Sequence, residues 1–173
     1  MGQLGSTKNK VYIIILFFFI SCSEEKRTSS IDNQEIISKS LRQVPIFNAD
    51  TAYSFIQKQV DFGPRVPNSL AHQNCHDFLK KTLWRFGADV VTQKAQVKRY
   101  DGFLMQMKNI IAVFNKDADK RILLCAHWDS RFTADNDVDN IDQPIVGAND
   151  GGSGVGVLLE IARHFQINPP PIG

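Results

Sequence analysis

The chain is expected to fold as an α/β domain, and three observations lead there. Two apolar runs, Met107 to Asn115 and Arg121 to Asp129, have the density of buried central strands. Amphipathic helical spacing precedes them, between residues 48 and 87. A glycine-dense bend, "GANDGGSG", opens a further apolar helix after them. The expected architecture is a mixed, twisted central sheet flanked by helices.

Length and composition agree with one folded domain. The 173 residues are 43% hydrophobic and 22% charged, which favours a packed core over disorder. A net charge of +2, with acids and bases interspersed, gives no electrostatic case for a nucleic-acid partner.

Residues 1–21 read as an export signal. Lys8 and Lys10 precede the apolar run "VYIIILFFFI", Val11 to Ile20, and then "SCS". The run is about half the roughly 20 residues that span a bilayer. "FISC" resembles a bacterial lipobox, with Phe19 where Leu is usual, so Cys22 is expected to carry lipid. A plain secretory signal is the alternative. Residues 22–47 are then a polar tether with at most one helical turn, and residues 48–173 are the folded domain. The protein is expected in the bacterial cell envelope, on the periplasmic or surface face, held to the membrane through Cys22.

The elements follow in order. Asn48 or Asp50 caps a helix whose apolar positions are Ala52, Phe55, Ile56 and Val60, and Gly63 and Pro64 stop it. "GPRVPNS" is a turn-rich connection. Asn68 or Ser69 caps a second helix with an apolar face of Leu70, Cys75, Phe78, Leu79, Leu83 and Phe86, ended by Gly87. His72 and His76 are four apart and share one face of it. That spacing suits a metal, but no third ligand is near, so a solvated or core-edge pair is expected. "ADVVTQKAQVKRY" alternates like a strand with one wet face. "KDAD" turns the chain between the two dense runs, which pair as a hairpin or lie otherwise. Cys75 and Cys125 are expected to be buried free thiols.

The chemistry sits after the second run. His127 and Asp129, two apart, point to one side of the strand end. Ligand sites collect beyond the carboxyl ends of strands in open α/β sheets. An imidazole there can ligate zinc while a carboxylate holds its other N–H. Alone, an H-x-D is weak evidence. Asp150, in the glycine-dense bend, either caps the following helix or turns its carboxylate toward a metal. The bend lacks the Lys and spacing of a phosphate loop, and no G-x-S-x-G elbow supports Ser153 as a nucleophile.

The paired motifs, "HWD" and "PIVGANDGGSGVGVLLEIAR", with Trp128 and the "ADND" loop between them, resemble the zinc-dependent M28 peptidases. They look most like that family's bacterial glutaminyl cyclase branch, and "FGPRVPNSLAHQNC" and "FGADVVTQ" share the likeness. The resemblance covers residues 48–167. It implies a zinc-exopeptidase fold and Asp150 as a metal ligand, bridging two zincs in a peptidase or binding one in a cyclase. It implies His127 as a second-zinc ligand in a peptidase, near the site but not necessarily on metal in a cyclase. Asp129 becomes the acid that orients the site. Trp128, Arg131, Asp135 and Asp137 fall at the rim of the pocket.

The implied activity is glutaminyl-peptide cyclotransfer, forming pyroglutamate at peptide or protein N-termini with release of ammonia. A di-zinc aminopeptidase is the first alternative, and a non-catalytic, lipid-anchored binding protein the second. The family's paired acids, including the general acid/base, and its last metal-binding His have no counterpart after Phe165. The chain is therefore read as the N-terminal part of such an enzyme, inactive alone.

Overall fold

A computed structural model describes residues 44–173. The export signal, Cys22 and nearly all of the tether lie outside the described residues.

Helix α1 spans Ala49–Val60. Asn48 is its cap: the Thr51 N–H donates to Asn48 Oδ1 at 2.9 Å. Helix α2 spans Leu70–Arg85, capped by Ser69, whose Oγ accepts from the His72 N–H at 3.1 Å. Asn68 serves the sheet instead. Its amide donates to Leu104 O at 2.9 Å and its Oδ1 accepts from the Gln106 N–H at 2.7 Å.

Strands β1, Asp89–Lys98, and β2, Leu104–Val113, form an antiparallel hairpin. Its register runs from Asp89 opposite Val113 to Lys98 opposite Leu104. The sheet packs against α2 on one side. On the other side Val91, Val97 and Ile111 remain exposed, so β2 is half-buried rather than the fully buried strand its composition suggested.

The larger difference is at Arg121–Asp129. This run forms no strand among the described residues. A central strand needs ladder partners on both edges. Here the backbone pairs only at its start: the Ile122 N–H donates to Gly173 O, and the Gly173 N–H to Lys120 O, both at 2.8 Å. Ile122, Leu123 and Leu124 are 63%, 87% and 50% exposed, so their burial would require further structure beside them. Cys125 is exposed for the same reason, which corrects its expected burial, while Cys75 is buried and free as expected.

Helix α3 spans Gly154–Ile167. Gly156 sits where α1 and α3 touch; a Cβ there would lie 2.7 Å from Ile56 Cγ1 and 2.8 Å from Ala52 O. The fully buried Glu160 fastens the same pair of helices. Its Oε1 accepts from the Asn48 N–H at 3.1 Å, and Arg163 binds both its oxygens at 2.7 Å. These bonds hold the Glu160 carboxyl below its usual pKa, with Arg163 the main cause.

The core centres on Cys75, Leu79, Trp128, Val155 and Leu159. It is not closed. An apolar groove of about 500 Å³ runs beside it, bordered by Ile110, Leu124, Leu158 and Phe165. Among the described residues no helix is long and apolar enough to cross a membrane.

Candidate metal centre

The site is built where the unpaired run ends and the glycine bend begins. Alternation along residues 127–129 sends His127 and Asp129 outward and Trp128 inward. Trp128 is 8% exposed and belongs to the core, which corrects its expected place at the pocket rim. Its ring stacks on His72 with centroids 4.1 Å apart. Its indole N–H donates to Lys108 O at 3.1 Å. An indole has too much apolar surface to stand at a wet rim when a core face is available.

The bend is a single wide turn, Ala148–Ser153, closed by the Gly152 N–H on Gly147 O at 3.2 Å. Asp150 and Gly151 leave helical geometry inside it. Gly151 has φ +85°, and a Cβ there would lie 2.8 Å from both His127 Cε1 and His127 O. Only glycine lets the bend come this close to His127.

Asp150 caps no helix: α3 begins without a side-chain cap. Its carboxylate faces His127 instead, with Oδ1 2.9 Å from Nε2. His127 Nδ1 lies 3.1 Å from the Asp129 carbonyl oxygen and 3.8 Å from Asp129 Oδ1. The Asp129 backbone, more than its side chain, thus sets the ring's orientation.

This arrangement supports a test of metal fit. The Asp129 carbonyl only accepts, so the Nδ1 that meets it donates. The Asp150 carboxylate also only accepts, so Nε2, 2.9 Å away, faces it across either a proton or a metal ion. Ligand atoms on one zinc stand about 3.3 Å apart, a small adjustment from this distance. Both side chains are about half exposed, 53% and 49%, so an ion can reach them. The donor types fit zinc, but their number falls short. Among the described residues no group of three or more His, Cys, Asp or Glu stands close enough to hold a metal. A catalytic zinc takes three protein ligands. The pair is a partial donor set.

His72 and His76 are not part of it. Both are buried, and His76 is held by Asp77 Oδ1 at 2.8 Å and Thr92 Oγ1 at 3.0 Å. They are a core-edge pair, as their spacing without a third ligand suggested.

Arg131, Asp135 and Asp137 lie exposed on the loop between the two motifs. Arg131 pairs with Asp135. Asp137 Oδ1 accepts from the N–H groups of Asp139 and Asn140, at 2.9 and 3.0 Å, which lowers its pKa. The loop is tied down at Phe132, whose ring lies 3.6 Å from the Arg99 guanidinium carbon.

Sequence reasoning missed Arg65. It is fully buried, and its guanidinium donates to Trp128 O at 3.0 Å and to Val146 O and Gly147 O at 2.7 Å. Burial lowers its pKa. An Arg inside "GPRVP" looks like an exposed turn residue, and nothing local to it announces a buried one.

Residues 109–171 match the model of peptidase family M28. The fold is similar to the crystal structure of Tannerella forsythia glutaminyl cyclase, at 53% identity and a TM-score of 0.73. That match covers 74% of this chain and 45% of the cyclase chain. A Zn-dependent exopeptidase from Parabacteroides distasonis is equally near, at 52% identity and a TM-score of 0.74, over 75% of this chain and 45% of that one. A curated relative, a probable zinc metalloprotease of Pyricularia oryzae, is 37% identical over 39% of this chain and 13% of its own length. The chain thus spans under half the length of these relatives.

Proposed function

We propose that the chain supplies one half of the active site of a zinc-dependent glutaminyl-peptide cyclotransferase. The observation that carries this reading is the His127–Asp150 apposition, in a chain 53% identical to a bacterial glutaminyl cyclase over three quarters of its length. The reaction closes an N-terminal glutamine on itself. The α-amine attacks the side-chain amide carbon, the amide C–N bond breaks, and ammonia leaves. Zinc, when bound, polarises the amide carbonyl as a Lewis acid.

The chain's own residues hold and shape the site. Asp150 offers a carboxylate to the metal. His127 stands beside it, fixed through Nδ1 by the Asp129 backbone. The Asp129 carboxylate lies close enough to strengthen that orientation. The loop carrying Arg131, Asp135 and Asp137 borders the space where a peptide N-terminus would enter. Among the described residues no third ligand completes the donor set, so the chain alone is expected to release no ammonia.

One observation favours a second reading, a di-zinc aminopeptidase: a Zn-dependent exopeptidase stands among the similar structures, and in this reading His127 would hold the second zinc. Upstream, the "FISC" sequence and Lys8 and Lys10 support export and lipid anchoring at Cys22, in a bacterial cell envelope.

A chimera tests the lead reading: residues 44–173 replacing the matching part of the Tannerella forsythia cyclase. Ammonia release from a Gln-initiated peptide is expected, without hydrolysis of Leu-amide. A folded chimera that hydrolyses Leu-amide and leaves the Gln-peptide intact contradicts the cyclase and supports the peptidase.

A further inference from the structure

Arg65 has an unusual set of partners for a fully buried charge. Every acceptor it contacts is a backbone carbonyl. Glu160, equally buried, is paired with Arg163. The Arg65 acceptors also fall in both site motifs. Nε reaches Trp128 O, the carbonyl between His127 and Asp129. The terminal nitrogens reach Val146 O and Gly147 O, just before the bend. Gly147 O in turn accepts from the Gly152 N–H, beyond Asp150. The Arg65 carbonyl completes the circuit by accepting from the Ser130 N–H at 3.1 Å.

We propose that Arg65 is a positioning residue that joins the end of the Arg121–Asp129 run and the glycine bend into one cooperative unit and so sets the His127–Asp150 separation. Its consequence for metal binding rests on the zinc site proposed above; the coupling itself does not. The chemistry requires a guanidinium. Its planar fork projects donors in several fixed directions, and a lysine ammonium is a point charge on a flexible stem. With Lys at position 65, carbonyls in both motifs lose their donor together, and each unmatched buried carbonyl destabilises its loop. The packing leaves no room for compensation: a Cβ on Gly147 would lie 3.1 Å from the Arg65 Nη2.

Native-state amide exchange on the metal-free full chain tests the coupling. In the wild type, the Ser130 and Gly152 amides are expected to open with the same free energy, as one unit. This arm needs no variant, so a misfolded mutant cannot spoil it. In Arg65→Lys, both amides are expected to exchange about tenfold faster or more, and the His127 ring resonances to shift. Leu159→Ala, a core control, is expected to lose a comparable amount of melting temperature without that selective effect. Zinc titration of the His127 resonances is the last arm: binding in the wild type, and weaker binding in Arg65→Lys. Unequal opening of Ser130 and Gly152 in the wild type overturns the proposal. So does acceleration in Arg65→Lys at only one loop, or no greater than in Leu159→Ala. If zinc leaves the wild-type His127 resonances unmoved, the zinc reading fails, and the exchange arms still decide the coupling.

Discussion

Gly151 shows how one residue sets the site. Its φ of +85° suits glycine, and the space a Cβ would need is filled by His127. Gly151→Ala therefore strains the backbone and pushes the ring away from Asp150. The expected cost is about 1–3 kcal/mol of stability, read by urea denaturation, with a shift of the His127 ring resonances. Unchanged His127 resonances would contradict the packing described here. A second residue-scale consequence concerns His72. Burial, then Lys108, then His76 push its pKa down from 6.5 to about 4. The unfolded chain therefore binds a proton that the folded chain refuses across this window. Stability is full above pH 6.5 and falls as the pH drops toward 4, separately from the carboxylates that titrate lower. Melting temperature measured from pH 7 to pH 4 is expected to fall, and to fall less in His72→Gln; equal slopes would assign the loss elsewhere.

At the scale of elements, the crossing of α1 and α3 rests on Gly156 and Glu160. Gly156→Ala drives a methyl against the Ala52 carbonyl and Ile56, so the helices must separate. A loss of about 1–3 kcal/mol is expected from the urea midpoint. No loss would mean that the helices do not meet there. The elements also show what the sequence made legible. Both helix caps lay among the two candidates named for each, because capping chemistry is local. The inward turn of Trp128 was equally local, since its neighbours His127 and Asp129 face outward, but the resemblance assigned it to the rim. Composition made Arg121–Asp129 look like a buried strand. Pairing is a non-local property, and no described strand pairs with this run. Arg65 stayed hidden because its partners lie 63 to 82 residues away.

At the scale of the molecule, an open groove and an incomplete donor set occur together. The apolar groove of about 500 Å³ and the exposed Ile122–Leu124 run mark a sheet with room for further pairing. The His127–Asp150 pair offers two donors where a catalytic zinc takes three. Both fit a chain that spans 45% of the cyclase and exopeptidase it resembles. The motif pair made the meeting of His127 and Asp150 legible across some twenty residues of sequence. The number of zincs was not readable, because His127 serves either reading from the same position. Zinc content of the chimera, and of its Asp150→Asn and His127→Ala variants, measured by atomic absorption after dialysis, tests the metal site most directly. The account predicts one zinc per chain, lost in Asp150→Asn and held more weakly in His127→Ala. Zinc retained at full stoichiometry in a folded Asp150→Asn chimera would contradict it.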